Sequence, residues 1–262
     1  MSPKTIYIIR HCDKPPENVD GCNSIGYKRA LLLAGLNGTC DQNLNTCNNN
    51  CSGTFNGGFW KSILGNDIPT SIYAAISKND NDYNKIKNTQ KCTSANRCCL
   101  ILNPTASLYN KEINGDGALF CDNEGKKMAK YILEQKNNDD GIVIVAWEHK
   151  NIPDMINEFG ITPKLQDWPK DASERFDLVF KVDFINNIPK LSIFTQNLGL
   201  LGDSNTEPFN YKNNDIRIIE NNKNINLKKI MIIIFLVILL IFLLFFLYNF
   251  IYSKSKITIY KK

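Results

Sequence analysis

The chain has 262 residues, 43% of them hydrophobic and 22% charged, a balance that excludes wholesale disorder and suits one ordinary domain with an appendage. The formal charge of +5 belongs to the tail: from Lys223 onward there are seven lysines and no acids, leaving 24 basic against 26 acidic residues ahead of it. A nucleic-acid-binding head needs a clustered basic face; no such run occurs, and no nucleic-acid partner is expected.

Short apolar runs alternate with helical patterns along the first two hundred residues, the signature of an α/β fold. The expected architecture is a mostly parallel sheet flanked by helices, followed by one C-terminal transmembrane helix. Residues 5–9 (Thr-Ile-Tyr-Ile-Ile) predict a first buried strand. Residues 24–36 carry apolar Ile25, Leu31, Leu32, Leu33 and Leu36 beside polar Lys28 and Arg29, and predict a helix. Residues 71–76 read as a second strand, and residues 96–102 as a short helix that Pro104 should end. Asn123 is the expected cap of a helix striped by Met128, Ile132 and Leu133 and running to Gln135. Residues 141–146, with Ile-Val-Ile-Val in the middle, are the clearest buried strand. A helix over 152–159 should close at Gly160. Residues 178–184 and 191–195 alternate in the β manner and suit an antiparallel hairpin at the sheet's edge.

The chain has two histidines, His11 and His149. Each follows a predicted buried strand and adjoins a charged residue, Arg10 and Glu148. Ligands collect at the carboxyl ends of strands in parallel α/β sheets, so both imidazoles can face one crevice. The string Ile8-Ile9-Arg10-His11-Cys12-Asp13-Lys14-Pro15 resembles the Arg-His-Gly signature opening the histidine phosphatase (phosphoglycerate-mutase-like) superfamily. Gly26-Tyr27-Lys28-Arg29-Ala30 is similar to the Gly-x-x-Arg-Ala step after that signature. Ile72-Tyr73-Ala74 resembles the strand leading to the family's second arginine, best matched by Arg97 in Ser94-Ala95-Asn96-Arg97. Residues 143–149 resemble the strand and second histidine. Trp147-Glu148-His149-Lys150-Asn151-Ile152-Pro153, with Trp168-Pro169 and Phe176-Asp177 beyond it, is similar to a poorly characterised branch of that superfamily. The likeness spans roughly residues 4–197, in the family's own order.

This resemblance implies a phosphatase that hydrolyses phosphomonoesters through a phosphohistidine. His11 would be the nucleophile, Arg10 and Arg97 would grip phosphate oxygens with their planar forks, and His149 would complete the anion pocket. The substrate would be a phosphorylated small molecule or phosphoprotein, and neither metal nor cofactor is expected. The proton donor stays open among Glu148, Glu112, Asp116 and Glu124; Glu148 can serve only if the chain has already turned, because neighbours on an ideal strand point to opposite faces. Cys12 replaces the family's glycine, and a polar insert over 78–93 separates the two arginines. The alternative is a catalytically weak or inactive scaffold of the same fold.

Residues 230–248 are nineteen consecutive apolar residues, and about 20 suffice to cross a bilayer core of about 30 Å. Lysines bracket the stretch, and Tyr248 and Tyr252 sit where interfacial aromatics belong. The expected organisation is a head over 1–202, a polar Asn-rich linker over 203–229, a transmembrane helix over 230–252 contacting the bilayer, and a short basic tail over 253–262. Residues 1–5 lead straight into a strand without a charged-then-apolar leader, so the expectation is a tail-anchored protein with its head in the cytosol. Nine cysteines in a reducing compartment would be free thiols. Cys22, Cys40, Cys47 and Cys51 lack the paired spacing of strong zinc motifs. A disulfide-linked, lumenal head, with sequons at Asn37 and Asn50, is the competing picture.

Overall fold

Two strands make the centre of the computed structural model, β1 (Thr5–Arg10) and β5 (Ile142–Trp147), and all six residues of each are buried. Successive side chains on a strand point to opposite faces, so complete burial means that both faces of the sheet are covered. The structure describes residues 2–15, 21–43, 46–76, 96–162, 175–200, 203 and 217–218. The expected segments over 78–93 and 230–252, and the Trp168-Pro169 pair, lie outside them. Among the described residues no helix is long and apolar enough to cross a membrane.

The fold is α/β, and its sheet is mixed rather than mostly parallel. With β4 (Ser71–Ala74), β7 (Leu178–Ile185) and β8 (Ile188–Thr195), the order is β4-β5-β1-β7-β8. The first three strands run parallel; β7 lies antiparallel to β1, and β8 antiparallel to β7. The 178–195 hairpin thus adds directly to the central strand. Two short strands, β6 (Ile161–Thr162) and β9 (Arg217–Ile218), pair separately, and the first compact unit of the chain runs to Ile218.

Helix α1 (Ser24–Ala34) begins where Asn23 Oδ1 accepts the Gly26 N–H at 2.8 Å, and ends at Gly35, whose φ of 65° suits glycine. It packs against α3 (Arg97–Tyr109). Pro104 lies inside α3 and does not end it. A mid-helix proline costs about 3 kcal/mol, but burial of Ile101, Leu102 and Ala106, and a bond from Trp60 Nε1 to Thr105 Oγ1 at 2.9 Å, hold the continuation in place. Helix α4 (Gly125–Glu134) is entered through a tight turn over Asp122–Glu124. There Glu124 Oε2 accepts the Cys121 N–H at 2.9 Å, so Cys121 caps the turn and Glu124 stands at the cap of the helix, not Asn123. Helix α4 packs on α5 (Ile152–Glu158).

The cysteines overturn the free-thiol expectation. Cys12 is bonded to Cys22, Cys40 to Cys51 and Cys47 to Cys99. Cys121 is also disulfide-bonded, and Cys98, buried, is the free thiol among the described residues. These bonds also remove the sulfurs a zinc site would need. Two of them shape the polar stretch after α1 into a ribbon of β2 (Leu36–Cys40) and β3 (Cys51–Phe55), followed by α2 (Gly58–Leu64). The ribbon exposes most of its side chains, so a covalent clasp supplies what apolar burial does not.

Candidate active site

Register brings the two histidines together. In the β1–β5 pair Arg10 lies opposite Trp147, and the His11 N–H donates to the Trp147 carbonyl at 3.0 Å. His11 and Glu148 therefore leave adjacent parallel strands side by side. At Glu148 the chain turns into a short helical turn, His149–Asn151, and Glu148 Oε2 accepts the Lys150 N–H at 2.7 Å. The turn swings His149 back over His11, and their ring centroids lie 5.6 Å apart, edge to face. Both rings are buried, with 4% and 3% of their surface exposed.

The His11 ring has a defined tautomer. Its Nδ1 lies 2.8 Å from the Cys12 carbonyl oxygen; a carbonyl only accepts, so Nδ1 carries the hydrogen and Nε2 keeps its lone pair. Burial pulls the His11 pKa well below the usual imidazole value, and the charge of Arg10 pulls it further; the bond to Cys12 opposes them, while Arg97 and His149 add to the fall. The result is a neutral imidazole with a free ring nitrogen. Arg10 stacks its guanidinium 3.9 Å from the centre of the Phe176 ring, which also packs edge-on against His11 at 5.8 Å.

Arg97 opens α3, and its charge reaches His11. Its Nε is buried without a hydrogen-bond partner among the described residues, as is His149 Nε2. Buried donors are normally satisfied, so the unpartnered Arg97 Nε, with a further guanidinium at Arg10, makes a setting that suits an anion. His149 Nδ1 sits 2.6 Å from Glu148 Oε1. The contact is close but lacks the alignment of a hydrogen bond. Burial pushes the Glu148 carboxyl up, but contact with His149 and the amide and charge of Lys150 outweigh it, and the group sits below the ordinary carboxylate value. Glu148 is therefore held as a carboxylate that orients His149, a poor arrangement for donating a proton.

The other acids separate cleanly. Glu112 and Asp116 line a cavity of about 230 Å³ with Thr70, Ser71 and Tyr73. That cavity lies at the amino end of β4, where Ser71 pairs with Val143. Val143 is five residues before Glu148, about 16 Å along the strand, so neither acid reaches the histidines. Glu124 is committed to the Cys121 amide and to Lys127 at 2.8 Å. Sequence reasoning missed Asp122. It is buried, its carbonyl accepts Trp147 Nε1 at 2.7 Å, and its charge, with those of Arg97 and Glu148, acts on the Cys98 thiol. A bridge between Ile76 and Cys121 puts it at the carboxyl end of the sheet; that pairing has no signature in the intervening sequence.

A second missed feature lies beneath the His11 loop. Arg29, fully buried, donates from Nε to Asp13 Oδ2 at 2.9 Å and from Nη1 to Gln196 Oε1 at 3.0 Å, and its Nη2 is paired with Asp203 Oδ1 at 2.8 Å. Burial pulls its pKa down, but the two carboxylates more than reverse that. The Gly-x-x-Arg pattern gains a physical reason: a side chain on Gly26 would come within 2.6 Å of the Asp13 nitrogen. Only glycine lets α1 approach the loop closely enough for Arg29 to reach Asp13.

His11, Glu148 and His149 also present ligand atoms within 4.8 Å of one another, a set that could suit zinc. One Glu148 oxygen already abuts His149, however, and two arginine charges bear on His11. That setting favours an anion over a cation. Neither a scan against protein-family models nor a search of curated proteins finds a match to this chain.

Proposed function

We propose that this protein is a phosphomonoesterase of the histidine phosphatase type, tethered to a membrane through residues 230–252. One observation carries the reading: two imidazoles at adjacent strand ends, one neutral with a free Nε2, beside a buried Arg97 donor that lacks a partner among the described residues. His11 Nε2 attacks phosphorus in line, and the bond to the ester oxygen breaks as that oxygen takes a proton. Water then attacks the phosphohistidine, restoring His11 and releasing inorganic phosphate. Arg10, Arg97 and His149 hold the phosphoryl oxygens through both steps, where fixed donors contribute most of the catalysis. Asp122 is the candidate proton donor.

Paired cysteines favour an oxidising compartment for the head over the cytosol. The near-complete burial of His11 and His149 favours the other reading, a silent scaffold, because substrate must reach Nε2. Metal-free hydrolysis of an aryl phosphate, run beside His11→Ala, separates the two. Turnover lost in the variant, with acid-labile phosphate trapped on the wild type, supports the enzyme. A folded, oxidised protein with neither turnover nor labelling leaves the scaffold.

A further inference from the structure

The carbonyl that sets the tautomer of His11 belongs to a half-cystine. Cys12, where the resembled family has glycine, is fully buried and bonded to Cys22, which lies directly before the cap of α1. The bond closes the loop that leaves β1. A side chain on Gly26 would come within 3.0 Å of Cys12 Cβ, so one side of Cys12 is walled by the helix and the other is held by sulfur. We propose that Cys12–Cys22 is a positioning disulfide: it fixes the Cys12 peptide so that its carbonyl holds the hydrogen on His11 Nδ1 and leaves Nε2 free to attack. This rests on the reading of His11 as the nucleophile, and it makes the activity dependent on thiol oxidation.

Chemistry and geometry both support the assignment. A neutral imidazole has two tautomers, and the hydrogen bond made by one nitrogen decides which carries the proton. Loss of the Cys12 contact frees the ring to place hydrogen on Nε2, where it cannot attack phosphorus. Asp13, the next residue, has other fastenings: the Asn23 N–H donates to its carbonyl at 3.0 Å, and Arg29 holds its side chain. Cutting the disulfide should therefore leave the fold standing while loosening the single peptide that faces His11. Reduction by a dithiol supplies two electrons and two protons, giving two thiols and the oxidised dithiol.

The test uses the full chain in detergent, as wild type before and after dithiothreitol, as Cys22→Ser, and as Cys12→Ser combined with Cys22→Ser. A Cys40→Ser, Cys51→Ser protein removes the ribbon disulfide as a control. With only two histidines in the chain, ¹⁵N-histidine labelling reports the His11 tautomer directly. The expected result is an Nδ1–H pattern in the oxidised wild type and the control, and a mixed or Nε2–H pattern in the Cys22 variants. kcat should fall about tenfold, the scale of one lost hydrogen bond, with binding of inorganic phosphate within twofold of wild type. Cys22 variants that keep the Nδ1–H pattern overturn the proposal. If the oxidised wild type hydrolyses nothing, the phosphatase reading fails, and the tautomer comparison still decides the role of the disulfide.

Discussion

Arg29→Met tests whether the network under the His11 loop holds the head together. The substitution keeps an unbranched side chain of similar length and removes the charge. Asp13 and Asp203, with 8% and 7% of their side chains exposed, then lose their common partner and are left as buried like charges. Breaking a buried ion pair from one side costs about 3–5 kcal/mol, a large share of a typical stability of about 5–15 kcal/mol. Urea unfolding of the unit ending at Ile218, followed by the fluorescence of buried Trp60 and Trp147, should show the midpoint falling by roughly 1–2 M at an ordinary slope. Adding Asp13→Asn and Asp203→Asn should recover most of the loss, because replacing a whole buried pair is often nearly neutral. A loss below about 1 kcal/mol, or a triple variant no more stable than Arg29→Met alone, would show that the carboxylates reach solvent and refute the argument.

Three further outcomes follow from the site and its surroundings. The His11 pKa is lowered on folding, so the unfolded chain takes up its proton first; stability should be full above about pH 6.5 and fall below it by up to about 1.4 kcal/mol per pH unit, until the folded group titrates. His11→Gln should flatten that slope in acid unfolding curves, and an unchanged slope would count against a neutral buried ring. Asp122→Asn should slow hydrolysis of alkyl phosphates by about 10²–10⁴-fold, the usual worth of a general acid, while barely affecting a nitrophenyl ester whose leaving group needs no proton; equal losses on both would remove Asp122 from that role. Asn37 is exposed on β2 within an Asn-Gly-Thr sequon. If the oxidising compartment is lumenal, the full chain made in a eukaryotic host should lose mass on endoglycosidase treatment, and Asn37→Gln should reduce the loss; an unmodified chain with intact disulfides would place the head elsewhere.

How much could be read in advance depended on how local each determinant was. β1 and β5 announce themselves because a strand buried on both faces must be apolar throughout, and the 178–195 hairpin because its residues alternate. The site residues Arg10, His11 and His149 came with those strands. Glu148 did not: its role depends on a turn that begins at Glu148 itself, made by its own carboxylate accepting the Lys150 amide, and strand periodicity points the wrong way there. Pro104 shows the converse, a strong local breaker overridden by packing that the local sequence does not contain.

Distant pairings were out of reach for a different reason. Arg29 meets Asp203 across 174 positions, and Cys47 meets Cys99 across 52; neither pairing changes the pattern near either partner. The two cases are linked by what they hold. The polar, Asn-rich segments after α1 have little apolar surface to bury, and a chain that cannot offset its ordering entropy by burial needs another constraint. Here the constraints are covalent in the ribbon and ionic beneath the His11 loop, and at Cys12 the two kinds meet: the disulfide fixes that residue while Arg29 fixes the next one. A loop without glycine at that position, yet rigid enough to hold one imidazole tautomer, is what this combination produces.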